Sequence, residues 1–190
     1  MKLGKNSFIN KISKVFPKKS CDSLIRWFEK NLHLAAPGLA GSFNTKLDNL
    51  EICLHLKNDY DHYGLGKTLN KCIKQFKKIY PEVDKYLGPW DIHPFIQLMK
   101  YEPGNFYRHI HCENEGHPPH FNRAFAWMIF LNTIKKGGGT KFIYQNIVVK
   151  PVAGDFYIWP AGWTHFHQGV NAPNEKKYIL TGWINYSGRI

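Results

Sequence analysis

Two hydrophobic periods run along this chain, and the change between them falls near residue 90. In the first half, Leu24, Ile25, Trp27 and Phe28 recur at helical spacing behind Ser20 or Asp22, either of which can cap a helix N-terminus. The pattern predicts a helix running to about Lys30 or Asn31. A second stripe, Leu69, Cys72, Ile73, Phe76 and Ile79, with lysines opposite, predicts an amphipathic helix from Tyr63 to Tyr80. Between them "LEICLHL" alternates as a strand does. From Asp91 onward the period is two: "IHPFIQLMKY", "AFAWMIFLN", "TKFIYQ", "IVVKP", "DFYIWP" and "KYILTGWINY". Turn signals separate these runs, among them Pro103-Gly104, Gly137-Gly138-Gly139, Ala153-Gly154 and Pro173-Asn174. Helices first and many short strands afterwards predict an α+β chain. Residues 1–90 would be mainly helical support, and residues 91–190 a sandwich or jelly-roll barrel, within one domain.

Composition changes this picture little. At 190 residues the chain is long enough for one full core. No run of about 18 apolar residues occurs, so no transmembrane helix is expected. The basic N-terminus lacks the apolar stretch of a secretory signal, which predicts a cytoplasmic, intracellular protein. Cys21, Cys53, Cys72 and Cys112 are scattered without CxxC pairing, as reduced thiols are. The net charge of +12 is concentrated in Lys2, Lys5, Lys11, Lys14, Lys18 and Lys19, and again in Lys67, Lys71, Lys74, Lys77 and Lys78. A solvated helix face and a basic leader explain it as readily as a polyanion surface.

The chemistry sits in "YRHIHCENEGHPPH", residues 107–120. In a strand, His111 and Glu113 share a face and can reach one metal ion; His109 has the same parity. Imidazole plus carboxylate is two-thirds of a 2-His-1-carboxylate triad, the ligand set of non-haem iron(II) oxygenases. The third ligand must come from a distant strand, and "WTHFHQGV" offers His165 or His167. Ten residues beyond His167, Lys177 can pair with the far carboxylate of a dicarboxylate cosubstrate whose 2-oxo acid end chelates iron. Tyr101, ten residues before His111, can donate a hydrogen bond to that same carboxylate.

These segments, in this order, resemble the iron(II)- and 2-oxoglutarate-dependent oxygenases, in particular the prolyl 4-hydroxylase-like branch, over residues 92–186. "YEPGNFYRHIH" resembles that family's Tyr-x-Pro-Gly stretch before the first iron ligand, and "MIFLN" and "GGGTKF" its Tyr-Leu-Asn and Gly-Gly-x-Thr-x-Phe segments. "VKPVAGDFYIWP", "HQGV" and "KYILTGWINY" resemble its Pro-x-x-Gly turn, second histidine and terminal Lys-Tyr strand. The resemblance implies a double-stranded β-helix, the cupin-like form of the jelly-roll barrel, with N-terminal helices on its major sheet. It implies His111, Glu113 and His167 as ligands of Fe(2+), with Lys177 and Tyr101 holding 2-oxoglutarate and dioxygen as the oxidant. The implied activity is hydroxylation of an aliphatic C–H bond, with succinate and CO2 as coproducts. The substrate would be a prolyl residue in a peptide or protein, another acidic protein segment, or a small molecule. Two positions depart from the family pattern. Glu113 stands where aspartate is usual, and Phe130 where a tyrosine often faces the cosubstrate.

Arg123, Trp163 and His165 are further candidates for contact with substrate, although Arg123 can equally pair with an acid. His117 and His120 lie in a proline-broken loop that is either an ordinary connection or a lid. Trp127, Trp159 and Trp183 read as core residues, and Cys112 as packing. Two other functions are weighed against the hydroxylase. A nucleic-acid demethylase is motivated by the charge, but that branch has an arginine-rich motif after its second histidine, where this chain has Lys177 and "YILTGW". A binding module that kept the barrel and lost the chemistry is opposed by the complete set His111, Glu113, His167 and Lys177.

Overall fold

The computed structural model describes residue 3 and residues 5–40, 45–56 and 63–187. Lys2 of the basic leader lies outside them. Among the described residues three α-helices come early: α1 (Lys18–Lys30), α2 (Leu65–Ile79) and α3 (Pro81–Tyr86). The first two match the periodicity, but their starts differ from the sequence expectation. Pro17, in extended conformation, stands at the N-cap of α1, ahead of Ser20 and Asp22. Gly64, left-handed at φ 70°, occupies that position in α2, a conformation glycine adopts without steric cost.

The first half of the chain is less helical than its texture predicts. It supplies β1 (Asn10–Ile12), β2 (Ala36–Ala40) and β3 (Thr45–His55), and all three join the same sheet as the later strands. The "LEICLHL" alternation therefore marks part of a long strand. The remaining strands are β4 (Trp90–Ile92), β5 (Phe95–Tyr101), β6 (Arg123–Phe130), β7 (Thr140–Phe142), β8 (Ile147–Val149), β9 (Phe156–Pro160), β10 (His167–Gly169) and β11 (Lys177–Tyr186). One sheet has eight strands in the order β1-β9-β6-β11-β5-β3-β2, with β4 also paired to β11. The other has three, in the order β10-β7-β8. Every pairing is antiparallel.

Alternation along the strands gives the large sheet two faces with different tasks. Ile52, Leu54, Ile96, Leu98, Trp127, Ile129, Leu180 and Ile184 pack with Leu24 and Phe28 of α1 and with Leu69, Cys72 and Phe76 of α2. Met99, Tyr101, Met128, Tyr157, Trp159 and Ile179 face the other way and meet Phe142, Ile147 and Val149 of the small sheet. The helices thus buttress one face, and the two sheets enclose the second core. Lys67, Lys71, Lys74 and Lys78 are exposed along α2, on the side of the sheet away from the enclosed space. Lys77 instead pairs with Asp84 and lies 4.6 Å from the Trp90 ring centre.

The small sheet is pinned at the Gly137-Gly138-Gly139 turn. Gly137 has φ +74°, and a Cβ on it would stand 1.8 Å from the Asn171 carbonyl oxygen, just beyond β10. Gly137→Ala is expected to cost about 2–3 kcal/mol, since it combines a left-handed backbone with a clash against main chain. Urea unfolding of the variant beside wild type measures this.

Candidate active site

The segment that carries His111 and Glu113 is not a strand, contrary to the parity argument. Between β5 and β6 the chain is irregular, and His111 makes only an isolated bridge with His167 at the start of β10. That bridge is closed on both sides: His111 N–H donates to the His167 carbonyl at 3.0 Å, and His167 N–H returns the bond at 2.8 Å. Two residues on, the Glu113 and Asn114 amides both donate to the Ala161 carbonyl, at 3.0 and 2.9 Å. The segment is therefore extended locally and fixed to the strand ends opposite it. Backbone bonds, not a sheet ladder, bring the three side chains together.

His111, Glu113 and His167 each offer a ligand atom within 4.8 Å of the others, and this is the only such group of three or more among the described residues. Nε2 of His111 and of His167 lie 3.7 and 3.5 Å from Glu113 Oε1. The opposite ring nitrogens fix the tautomers. Nδ1 of His111 faces the His109 carbonyl at 3.1 Å, and Nδ1 of His167 faces the His165 carbonyl at 2.9 Å. A carbonyl only accepts, so each Nδ1 carries the hydrogen and each Nε2 keeps its lone pair toward the shared space. Burial, and then the neighbouring His111, push the His167 imidazole below its usual range, in favour of the neutral form. Burial alone would raise the Glu113 carboxyl, but the neighbouring His111 and His167 outweigh it and hold the group well below the usual range. Two imidazoles and one carboxylate suit a divalent transition metal.

The triad opens into a cavity of about 180 Å³, also lined by Lys177, Tyr101, Tyr107, Arg123 and Thr181. Lys177 is 4% exposed, yet no acidic side chain or hydrogen-bond acceptor meets its ammonium among the described residues. Its Nζ lies 4.3 Å from the centre of the Tyr101 ring, with which it is in register across β11 and β5. Burial pushes this lysine down to about 8. Lys100, equally buried but on the other face, shows the contrast. Glu29 and Glu102 hold it at 3.0 and 2.9 Å, and their hydrogen bonds overcome burial and raise it. A buried lysine facing a cavity with no anion is a site for one. The Tyr101 hydroxyl lies 3.6 Å from Met99 Sδ, a weak acceptor, so it too is available to a ligand.

Other predicted residues fall elsewhere. His165 is buried in a 3₁₀ turn, with Nε2 3.0 Å from the Ser7 carbonyl, and does not line the cavity. It shares no strand with His167, because the strand begins only at residue 167. Trp163, in the same turn, is 68% exposed and also outside the cavity. Arg123 lines the cavity and also meets the acid, its Nη1 lying 3.1 Å from the Glu113 carbonyl and 3.5 Å from Oε2. Cys112 is buried, as expected of a packing residue, at the cavity edge. His120 and Glu115 also line the cavity, and Glu115 lies 3.3 Å from His117. Trp127 and Trp159 are buried, but Trp183 is not simply core, since its indole N–H donates to Glu113 Oε2 at 2.7 Å. Sequence reasoning also missed Tyr107, whose ring packs 4.1 Å from that of His111, and Glu51 and Gln97 on the cavity wall. For Trp183 the signal was present: it shares parity with Lys177 on β11. For Glu51 the signal was "LEICLHL", in which the residue between Leu50 and Ile52 must face away from the helices.

The model of the 2OG-Fe(II) oxygenase superfamily matches residues 96–185. Procollagen-lysine,2-oxoglutarate 5-dioxygenase 2 of Mus musculus is 25% identical over 184 residues, which cover 90% of this chain and 23% of that protein. The chain thus spans about a quarter of the length of the curated relatives it matches. Among solved structures, the viral collagen prolyl hydroxylase of Paramecium Bursaria Chlorella virus-1, in complex with 2OG, aligns with TM-score 0.69 at 17% identity over 93% of this chain and 95% of that one. A prolyl hydroxylase of Trichoplax adhaerens, in complex with a hypoxia inducible factor oxygen degradation domain peptide fragment, aligns with TM-score 0.69 at 16% identity over 96% and 88%. The fold is that of these hydroxylases.

Proposed function

We propose that this chain is an oxygenase of the 2OG-Fe(II) superfamily, of the prolyl 4-hydroxylase-like type, that hydroxylates an aliphatic C–H bond of a prolyl residue in a peptide or protein; the match to the superfamily and the likeness in fold to prolyl hydroxylases support it. In this reading the two sheets are the major and minor faces of a double-stranded β-helix, built as one domain with residues 1–90 as support. The observation that carries the proposal is the pairing, in one cavity, of the His111/Glu113/His167 group with the partnerless ammonium of Lys177.

The residues fit the family's cofactors. His111 Nε2, Glu113 Oε1 and His167 Nε2 would hold Fe(2+) on one face, leaving the cavity side open. Lys177, helped by Tyr101, would take the C5 carboxylate of 2-oxoglutarate, a charge-assisted contact in a dry pocket. When bound, iron, 2-oxoglutarate and dioxygen supply the oxidising chemistry, with succinate and CO2 as coproducts. The chain's own part is placement and exclusion of water. β11 sets the lysine at a fixed distance from the triad, and Met99, Met128 and Ile179 wall the cavity with apolar surface. The departure at Phe130 is absorbed by packing: its ring is fully buried against Tyr157, 5.8 Å away, so the lysine and Tyr101 carry the carboxylate.

A peptide or protein substrate is supported by the Trichoplax relative, whose structure contains a peptide. The demethylase reading is weakened by the position of the α2 lysines, on the far side of the large sheet from the cavity. Incubation of the iron-loaded protein with 2-oxoglutarate and proline-containing peptides is expected to yield succinate and a peptide heavier by one oxygen atom. Succinate without peptide oxidation across lysine- and proline-containing sets would point to a small-molecule substrate. A nucleic-acid substrate would show itself as binding that falls steeply with salt.

A further inference from the structure

Glutamate is an awkward replacement for aspartate at a metal. Its extra methylene adds a rotatable bond, and a freely swinging carboxylate can turn both oxygens toward the ion. The structure holds this glutamate still. Glu113 Oε2 accepts the Trp183 indole N–H at 2.7 Å, with Arg123 Nη1 at 3.5 Å on the same oxygen. Arg123 is itself fixed, since its Nη1 also donates to the Glu113 carbonyl at 3.1 Å and its guanidinium lies 3.7 Å over the Trp183 ring. Oε1 alone is left facing the two histidines. Two buried tryptophans of the large sheet, Trp127 and Trp159, contrast with the half-buried Trp183. Trp127 and Trp159 bury indole nitrogens that find no acceptor among the described residues, whereas the Trp183 nitrogen is spent on the carboxylate.

From this geometry we propose that Trp183 and Arg123 are positioning residues that clamp Oε2 of Glu113, so that the longer side chain presents a single oxygen to the metal. The proposal rests on the reading of His111, Glu113 and His167 as metal ligands. Both clamp residues sit on rigid elements, Trp183 within β11 and Arg123 at the start of β6, and β11 also carries Lys177. One strand therefore sets the carboxylate ligand and the cosubstrate anchor together. Aspartate on the same backbone would fall short of the indole by about one C–C bond, roughly 1.5 Å, so the clamp and the glutamate belong together.

The test is anaerobic titration of the full chain with cobalt(II) alone, by calorimetry and by the visible spectrum of the bound ion. Trp183→Phe keeps the ring beneath Arg123 and removes only the N–H. It is expected to bind cobalt(II) about 10–100-fold more weakly, the usual cost of losing an outer-shell contact, with a visible spectrum altered by two-oxygen ligation. The thermal unfolding midpoint of its metal-free form should stay near that of wild type. Arg123→Lys, which cannot both stack and reach Oε2, provides the second variant should the first fold poorly, and a smaller loss with the same spectral change is expected. Wild-type affinity and an unchanged spectrum in both variants, with binding abolished in His167→Ala, would overturn the clamp and leave the metal site standing. Failure of wild type itself to bind cobalt(II) would overturn both.

Discussion

Replacing Lys177 by methionine is expected to stabilise the metal-free protein at neutral pH and to raise the 2-oxoglutarate needed for half-saturation about 100-fold. Both effects have one cause. Burial lowers this lysine from 10.5 to about 8, and a depression of that size corresponds to about 3 kcal/mol of desolvation not repaid in the free protein. Because the folded-state value is the lower one, the unfolded chain binds more protons between pH 8 and 10.5. The cost is fully present below pH 8 and disappears as pH rises through that window. Wild-type stability should therefore climb from pH 8 toward pH 10.5, by up to about 3 kcal/mol from this group, while Lys177→Met lacks the climb. Saturating 2-oxoglutarate should flatten the wild-type curve, because a carboxylate beside the ammonium returns its affinity for the proton. Loss of a buried charge pair of this kind costs about 2–5 kcal/mol in binding, hence the weaker cosubstrate. Urea unfolding across pH 7–10, with and without 2-oxoglutarate, measures both.

His167→Ala is expected to lower iron(II) affinity by more than about 100-fold, beyond the range that outer contacts reach. The side chain is 5% exposed and its tautomer is fixed by the His165 carbonyl; no other imidazole among the described residues joins the group. His165→Ala separates a ligand from a neighbour. That ring bonds the Ser7 carbonyl and the Thr164 hydroxyl, so its loss should cost about 1 kcal/mol of stability while metal affinity stays. Calorimetric titration of the three proteins with iron(II) under anaerobic conditions distinguishes these outcomes.

The residues of the triad and Lys177 were legible in the sequence because ordered motifs carried them, although the strand parity invoked for His111 and Glu113 does not hold. The chain there is tied by a pair of backbone bonds to His167 of β10 and a pair to Ala161, and local periodicity has no signature for such long-range ties. Nor could the sequence separate His165 from His167 by local pattern, since a 3₁₀ turn ends at His165 and the strand begins at His167. The helical stripes of α1 and α2 were plain, as long amphipathic repeats are. β1 and β2 were not, because a three-residue strand and an Ala-Pro-Gly strand at the sheet edges carry no alternation to read. Arg123 was open between substrate and acid in the sequence, and only the placement of Glu113 against Trp183 reveals its pairing with the acid.

The central claim, that one cavity holds both a metal and 2-oxoglutarate, is tested most directly by anaerobic addition of iron(II) and 2-oxoglutarate to the metal-free protein, followed in the visible spectrum. The account predicts the charge-transfer band of a chelated 2-oxo acid in wild type, absent in His167→Ala and requiring about 100-fold more 2-oxoglutarate in Lys177→Met. A wild-type protein that binds neither iron(II) nor 2-oxoglutarate and shows no band would contradict it, and would mark the barrel as a binding module without oxygenase chemistry.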